Sequence, residues 1–134
     1  MSGLEKKFAT KSKIVNYIIN RESTSKVEIS KELNLSMPTV LSNVKDLLEK
    51  GVIIETGEYE STGGRKAKSI GINPSYRYAM GIVITANHLG MVLVNLKYEI
   101  VKSERIRLKF VPDMSYCSQV ADFAEKFLDH MNDA

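Results

Sequence analysis

Apolar residues recur along this chain in two rhythms. From Ser12 the run SKIVNYIINRE sets Ile14, Tyr17 and Ile18 on one side at helical spacing, with Arg21 a turn further on. Ser23-Thr24-Ser25 interrupts the rhythm and offers an N-cap. KVEISKEL follows as a short second helix that buries Val27, Ile29 or Ser30, and Leu33. Ser25 and Glu28 have capping-box spacing, the hydroxyl taking an orphan amide while the glutamate reaches back. After the break at Asn34-Leu35-Ser36, a third helix is predicted over MPTVLSNVKDLLEK. Ser36 is its N-cap, Pro38 suits a first turn where its missing N–H costs nothing, and Gly51 is a natural C′ residue. On a 100° wheel Val40, Val44, Leu47 and Leu48 share one face, with Thr39, Ser42, Asn43 and Asp46 on the other.

Beyond Gly51 the rhythm shortens. Val52–Glu55 and Lys68–Ile72 read as two strands of a hairpin, and TGEYESTGGRKA between them as a long polar tip. Asn73-Pro74-Ser75 breaks the chain. Tyr78–Thr85 and Leu89–Leu96 are then strands joined by Ala86-Asn87-His88, and Lys97-Tyr98-Glu99 is the next turn. A third strand, Ile100–Phe110, alternates at its end: Ile106, Leu108 and Phe110 against Arg105, Arg107 and Lys109. Pro112-Asp113 starts a helix in which Val120, Phe123, Ala124, Phe127, Leu128 and Met131 recur at 3.6 spacing. The predicted class is α+β: a winged helix-turn-helix over residues 1–72, then a three-strand meander plus helix over 73–134.

Bulk properties narrow the functions. The 134 residues are 43% hydrophobic and 26% charged, as in ordinary soluble proteins. No run is long and apolar enough for a membrane span, and no apolar run follows the first cations as in a secretory signal. The single cysteine, Cys117, excludes an internal disulfide and fits a reducing, cytoplasmic setting. His88, Cys117 and His130 lack metal-ligand spacing, so neither metal nor cofactor is expected. The net charge of +3 is uneven: residues 1–77 hold 13 Lys/Arg against 9 Asp/Glu, and the rest 6 against 7.

That front half carries the candidate chemistry. A recognition helix keeps one apolar stripe for its own core and offers short donors and acceptors to base edges. Thr39, Ser42 and Asn43 fit that role, although the same residues also describe a plain solvated face. Met37 could touch a thymine methyl, but its more usual place is inward. Gly63-Gly64-Arg65-Lys66 raises a second choice, between cradling a nucleotide phosphate and forming a basic wing tip. A phosphate loop of the Walker type needs Gly, four residues, then Gly-Lys-Ser/Thr opening a helix. Here the glycines are adjacent, no Ser/Thr follows the cations, and a strand comes next. The nucleotide reading is poor; a wing tip or a plain hairpin tip remains.

Both halves resemble the ROK family of transcriptional repressors, which is related to sugar kinases. The resemblance is carried by Leu35-Ser36-Met37-Pro38-Thr39-Val40, Glu49-Lys50-Gly51-Val52-Ile53 and Ser61-Thr62-Gly63-Gly64-Arg65-Lys66-Ala67. Asn73-Pro74 with Tyr78 and Met80-Gly81-Ile82 resembles the family's join to its second domain. It implies that residues 73–134 begin an actin-like domain that is incomplete here. Family members that are kinases carry Asp-Ile-Gly-Gly-Thr in the opening strand-turn-strand of that domain. Val83-Ile84-Thr85-Ala86-Asn87 stands in its place, without the carboxylate or the close-approach glycines, so no catalytic residue is expected.

The leading expectation is a sequence-specific DNA-binding regulator, by resemblance a homodimeric repressor of sugar-utilisation genes. Its partner is an operator duplex, with no membrane partner, and a sugar effector only where the rest of the ROK domain is present. Ser36, Thr39, Ser42 and Asn43 would meet phosphates and base edges in the major groove, with Lys45 near the backbone. Arg65 and Lys66 would enter the minor groove, and Lys68 would flank it. The alternatives are a sugar-kinase-related enzyme and a protein-interaction module.

Overall fold

A computed structural model describes residues 2–59 and 67–131. The chain divides into two compact units, Met1–Tyr76 and Arg77–Ala134.

The first unit opens with α1 (Gly3–Ile19), which starts nine residues before the apolar rhythm does. The cause is a capping box: the Ser2 hydroxyl accepts from the Glu5 amide at 3.2 Å, and the Glu5 carboxylate accepts from the Ser2 amide at 2.6 Å. Only the second half of the helix carries core residues, Ile14 and Ile18; Leu4 and Phe8 are exposed. Near its end the Arg21 guanidinium lies 3.9 Å from the Tyr17 ring centroid.

Helix α2 (Lys26–Leu33) starts where the Ser25 hydroxyl accepts from the Glu28 amide at 3.1 Å. The Glu28 carboxylate also accepts from the Thr24 hydroxyl at 3.0 Å. Of the alternatives for its inner face, Ile29 is fully buried, whereas Val27 is 62% exposed, contrary to expectation. An eight-residue helix has room for a narrow apolar stripe only, and position 27 lies two residues, about 200°, from Ile29. Asn34 ends α2 in the left-handed region, which asparagine tolerates.

Helix α3 (Met37–Glu49) buries Val40, Val44 and Leu47. Gly51 follows at φ +74°, a C′ conformation that glycine adopts without a Cβ penalty. Strands β1 (Ile53–Tyr59) and β2 (Ala67–Ile72) then pair antiparallel, so β1 runs four residues into the stretch read as a polar tip. A bulge between Glu55 and Gly57 makes this possible, with Gly57 at φ +131°, where a side chain would be strained. The hairpin is tied to the helices by a two-way bridge. Thr24 N–H donates to Ile70 O at 2.9 Å, and Ile70 N–H returns a bond to Thr24 O at 2.8 Å. Ile53, Ile70 and Ile72 are buried like the core residues of α1, α2 and α3.

The second unit is an antiparallel sheet in the order β3 (Ala79–Ile84), β4 (His88–Val94), β5 (Ile100–Arg107). Leu89, Met91 and Leu93 alternate inward from the central strand and meet Phe127 of α4 (Met114–Leu128). Val120, Phe123, Ala124, Leu108 and Met131 pack around them. Leu128, expected on that stripe, is 37% exposed instead; it lies one residue, about 100°, round the helix from the buried Phe127. Asp113 caps α4 by accepting from the Tyr116 amide at 3.0 Å, and Lys102 donates to Phe127 O near its other end at 2.6 Å. Phe110 meets Tyr116 edge-on at 5.1 Å. Edge strand β3 leaves Met80, Ile82, Val83 and Ile84 between 39 and 58% exposed.

Candidate nucleic-acid interface

Helix α3 is inserted between its neighbours by Val40, Val44 and Leu47, and this orients everything else on it. Pro38, Leu41, Ser42 and Lys45 point outward and are exposed. Thr39, Asn43 and Asp46 form a flanking arc and are half-buried. Of the residues expected to read DNA, Ser42 and Lys45 therefore stand on the open face, while Thr39 and Asn43 stand at its edge.

Local bonds already engage several of them. Ser36 occupies the N-cap position, yet its hydroxyl makes no capping bond; it lies 2.8 Å from the Thr39 hydroxyl. Both hydroxyls keep lone pairs or a proton for an outside partner. Asn43 donates from Nδ2 to Thr39 O at 2.8 Å, which leaves its Oδ1 as an acceptor. Lys68 bonds both Glu55 oxygens, at 3.2 and 3.3 Å, across the hairpin. Such an exposed pair is weak, so a phosphate competes with it readily. Arg65 and Lys66, with the two adjacent glycines, lie outside the described residues.

Two apolar residues also stand on this side of α3. Met37 is 37% exposed at the start of α3 and does not pack inward. Leu41 is 45% exposed on the outward face. Its wheel position, flanked by Pro38, Ser42 and Lys45, was the available signal.

Cations from α1 complete the surroundings. Asp46 pairs with Lys11 and, at 3.0 Å, with Lys50. The Lys11 hydrogen bond, followed by that of Lys50, holds the Asp46 carboxyl below its ordinary range. The same carboxylate raises the pKa of Lys50. Among the described residues no three His, Cys, Asp or Glu side chains gather as a metal-binding group. No helix among them is long and apolar enough to cross a membrane.

Three helices, a tethered hairpin and an outward helix face define a winged helix-turn-helix of the DNA-binding class, and a family model of that description matches residues 8–54. The xylose repressor of Lactiplantibacillus pentosus is 32% identical over 74% of this chain and 26% of its own length. The putative xylose repressor of Caldicellulosiruptor sp. (strain Rt8B.4) is 29% identical over 72% of the chain and 24% of its own length. A crystal structure of a ROK family transcriptional regulator, homolog of the E. coli MLC protein, superposes with a TM-score of 0.68 at 18% identity, covering 93% of this chain and 32% of that one. The chain is thus similar to xylose repressors over most of its own length and shares the fold of part of that ROK family regulator. It spans about a quarter of the length of the curated relatives it matches.

Proposed function

We propose that this chain binds operator DNA for a transcriptional repressor of sugar-utilisation genes, xylose genes being the instance its relatives' names supply. The observation that carries the reading is α3 itself. Its apolar stripe is fully used inside the unit, while Ser42, Lys45 and Leu41 face outward beside a hairpin fastened at Thr24–Ile70. Set into a major groove, that face brings Ser42 and Leu41 to base edges and Lys45 to the backbone. Ser36, Thr39 and Asn43 meet the strand along the flank. Arg65 and Lys66 serve the adjacent minor groove, with Lys68 released from Glu55 toward a phosphate.

The protein works in this reading as a homodimer on a two-fold operator in the cytoplasm and catalyses no reaction. The β3–β4 turn supports the last point. Thr85 N–H donates to His88 O at 3.0 Å and the Thr85 hydroxyl accepts from the His88 amide at 3.1 Å, so the turn is closed on itself. Calorimetric titration with ATP is expected to give no binding heat.

Mobility-shift titrations at two salt concentrations, on a duplex selected from random sequence and on its scrambled counterpart, test the main reading. Arg65→Ala is expected to weaken both complexes and lower the salt slope by about 1. Asn43→Ala is expected to change which duplexes are selected. Equal, negligible affinity of the unaltered chain for every duplex would sink the DNA-binding reading.

A further inference from the structure

Lys7 and Lys11 stand one turn apart on α1 and, with Lys50 at the end of α3, surround the single carboxylate of Asp46. Ser42 and Asn43 complete the lining of an open hollow of about 350 Å³. Several features set it apart from an ordinary patch of surface lysines. Three cations face one anion, so the hollow keeps a surplus of positive charge after the Lys11–Asp46 and Lys50–Asp46 pairs are made. Asp46 holds two of the ammonium groups in place, which lowers the ordering cost of engaging them. Ser42 belongs both to this hollow and to the outward face of α3, so the two surfaces adjoin. A ligand here needs negative charge, accepting oxygens and a position beside a helix that lies in a groove. A phosphodiester of the duplex has all three.

We propose that the Lys7–Lys11–Lys50 hollow seats a backbone phosphate on one side of the groove entered by α3, with Asp46 limiting its attraction for arbitrary DNA. The proposal rests on the DNA-binding reading above and adds α1 to the interface. A phosphate entering the hollow takes hydrogen bonds from Lys7 and from ammonium protons not committed to Asp46, and Ser42 Oγ donates from the groove side. Asp46 repels the same phosphate. It therefore reduces affinity on all sequences alike, so that base contacts at the outward face decide where the protein stays.

The test measures affinity of the full chain for selected and scrambled duplexes across a salt series, with circular dichroism as a check of folding. Lys7→Gln and Lys11→Gln are each expected to weaken both duplexes by a similar factor, about tenfold, and to lower the salt slope by about 0.9. Asp46→Asn keeps an accepting oxygen for the two lysines but removes the charge; it is expected to tighten both complexes by a similar factor. Loss of structure alone weakens binding, so tightening marks an electrostatic role. Should Lys11→Gln unfold the first unit, Lys7→Gln carries the test, because Asp46 keeps its pairs with Lys11 and Lys50. An unchanged salt slope for folded Lys7→Gln, or weaker binding by Asp46→Asn that circular dichroism shows to be folded, overturns the proposal. If the unaltered chain binds duplex and these variants behave like it, the phosphate seat alone fails. If the unaltered chain binds none, the DNA-binding reading fails first.

Discussion

Ser25 closes the start of α2 with one bond from its hydroxyl to the Glu28 amide, and it is itself buried. Ser25→Ala leaves that amide without its cap and is expected to cost about 1 kcal/mol, read as a lower urea midpoint at unchanged slope. A cap of this kind is visible in sequence because donor and acceptor are three residues apart. The Lys11–Asp46 pair spans 35 positions, and nothing local announces it. Its consequence for pH has a definite sign. The folded-state pKa of Asp46 lies below the unfolded value, because Lys11 and then Lys50 favour the carboxylate. The stabilisation is therefore complete above the ordinary carboxylate pKa, about 4, and is lost as pH falls through the lower folded value. Asp46→Asn is expected to flatten the acid side of the first unit's stability profile, measured by thermal melts below pH 5. Asp113 shifts in the same direction, through the Ser115 hydroxyl and the Tyr116 amide, and adds a similar acid dependence to the second unit.

At the level of elements, periodicity locates a helix by the face it buries and is silent where none is buried. The stretch Gly3–Lys11 has no core residue and is helical through Ser2–Glu5 capping and its continuity with the segment that holds Ile14 and Ile18. The length of β1 escapes periodicity for another reason: a bulge at Gly57 lets pairing continue through polar residues. Helix α4 was legible because Phe127, Ala124, Phe123 and Val120 repeat cleanly, yet Leu128, one residue round the helix from Phe127, stays exposed. Phe127 is the anchor of that second core, touching the β4 residues Leu89, Met91 and Leu93. Phe127→Ala is expected to cost about 3–5 kcal/mol. In so small a unit this removes most of the stability, and hydrogen exchange at residues 88–94 should lose its protection while the first unit keeps its own.

For the whole molecule, two units with separate cores imply that a lesion in one is read in that one. The proposed two-fold operator gives a further expectation at this scale. A palindromic duplex with half-sites one helical turn apart should take up two chains, and a single half-site one, in sedimentation experiments on labelled DNA. Two chains on a lone half-site would contradict the isologous arrangement. By itself the sequence determined the order of helices and strands, the cap at Ser25, the helix start at Pro112-Asp113, the turn glycine at Gly51 and the apolar stripe of α3. These depend on neighbours within a turn or along one strand, where spacing is geometry. Only the tertiary structure decided that Ser42, Lys45 and Leu41 form the open face of α3 while Thr39 and Asn43 stand at its edge. It alone brought Lys7 and Lys11 beside Asp46, because which flank of a helix stays open depends on the element packed against it, however far away in the chain.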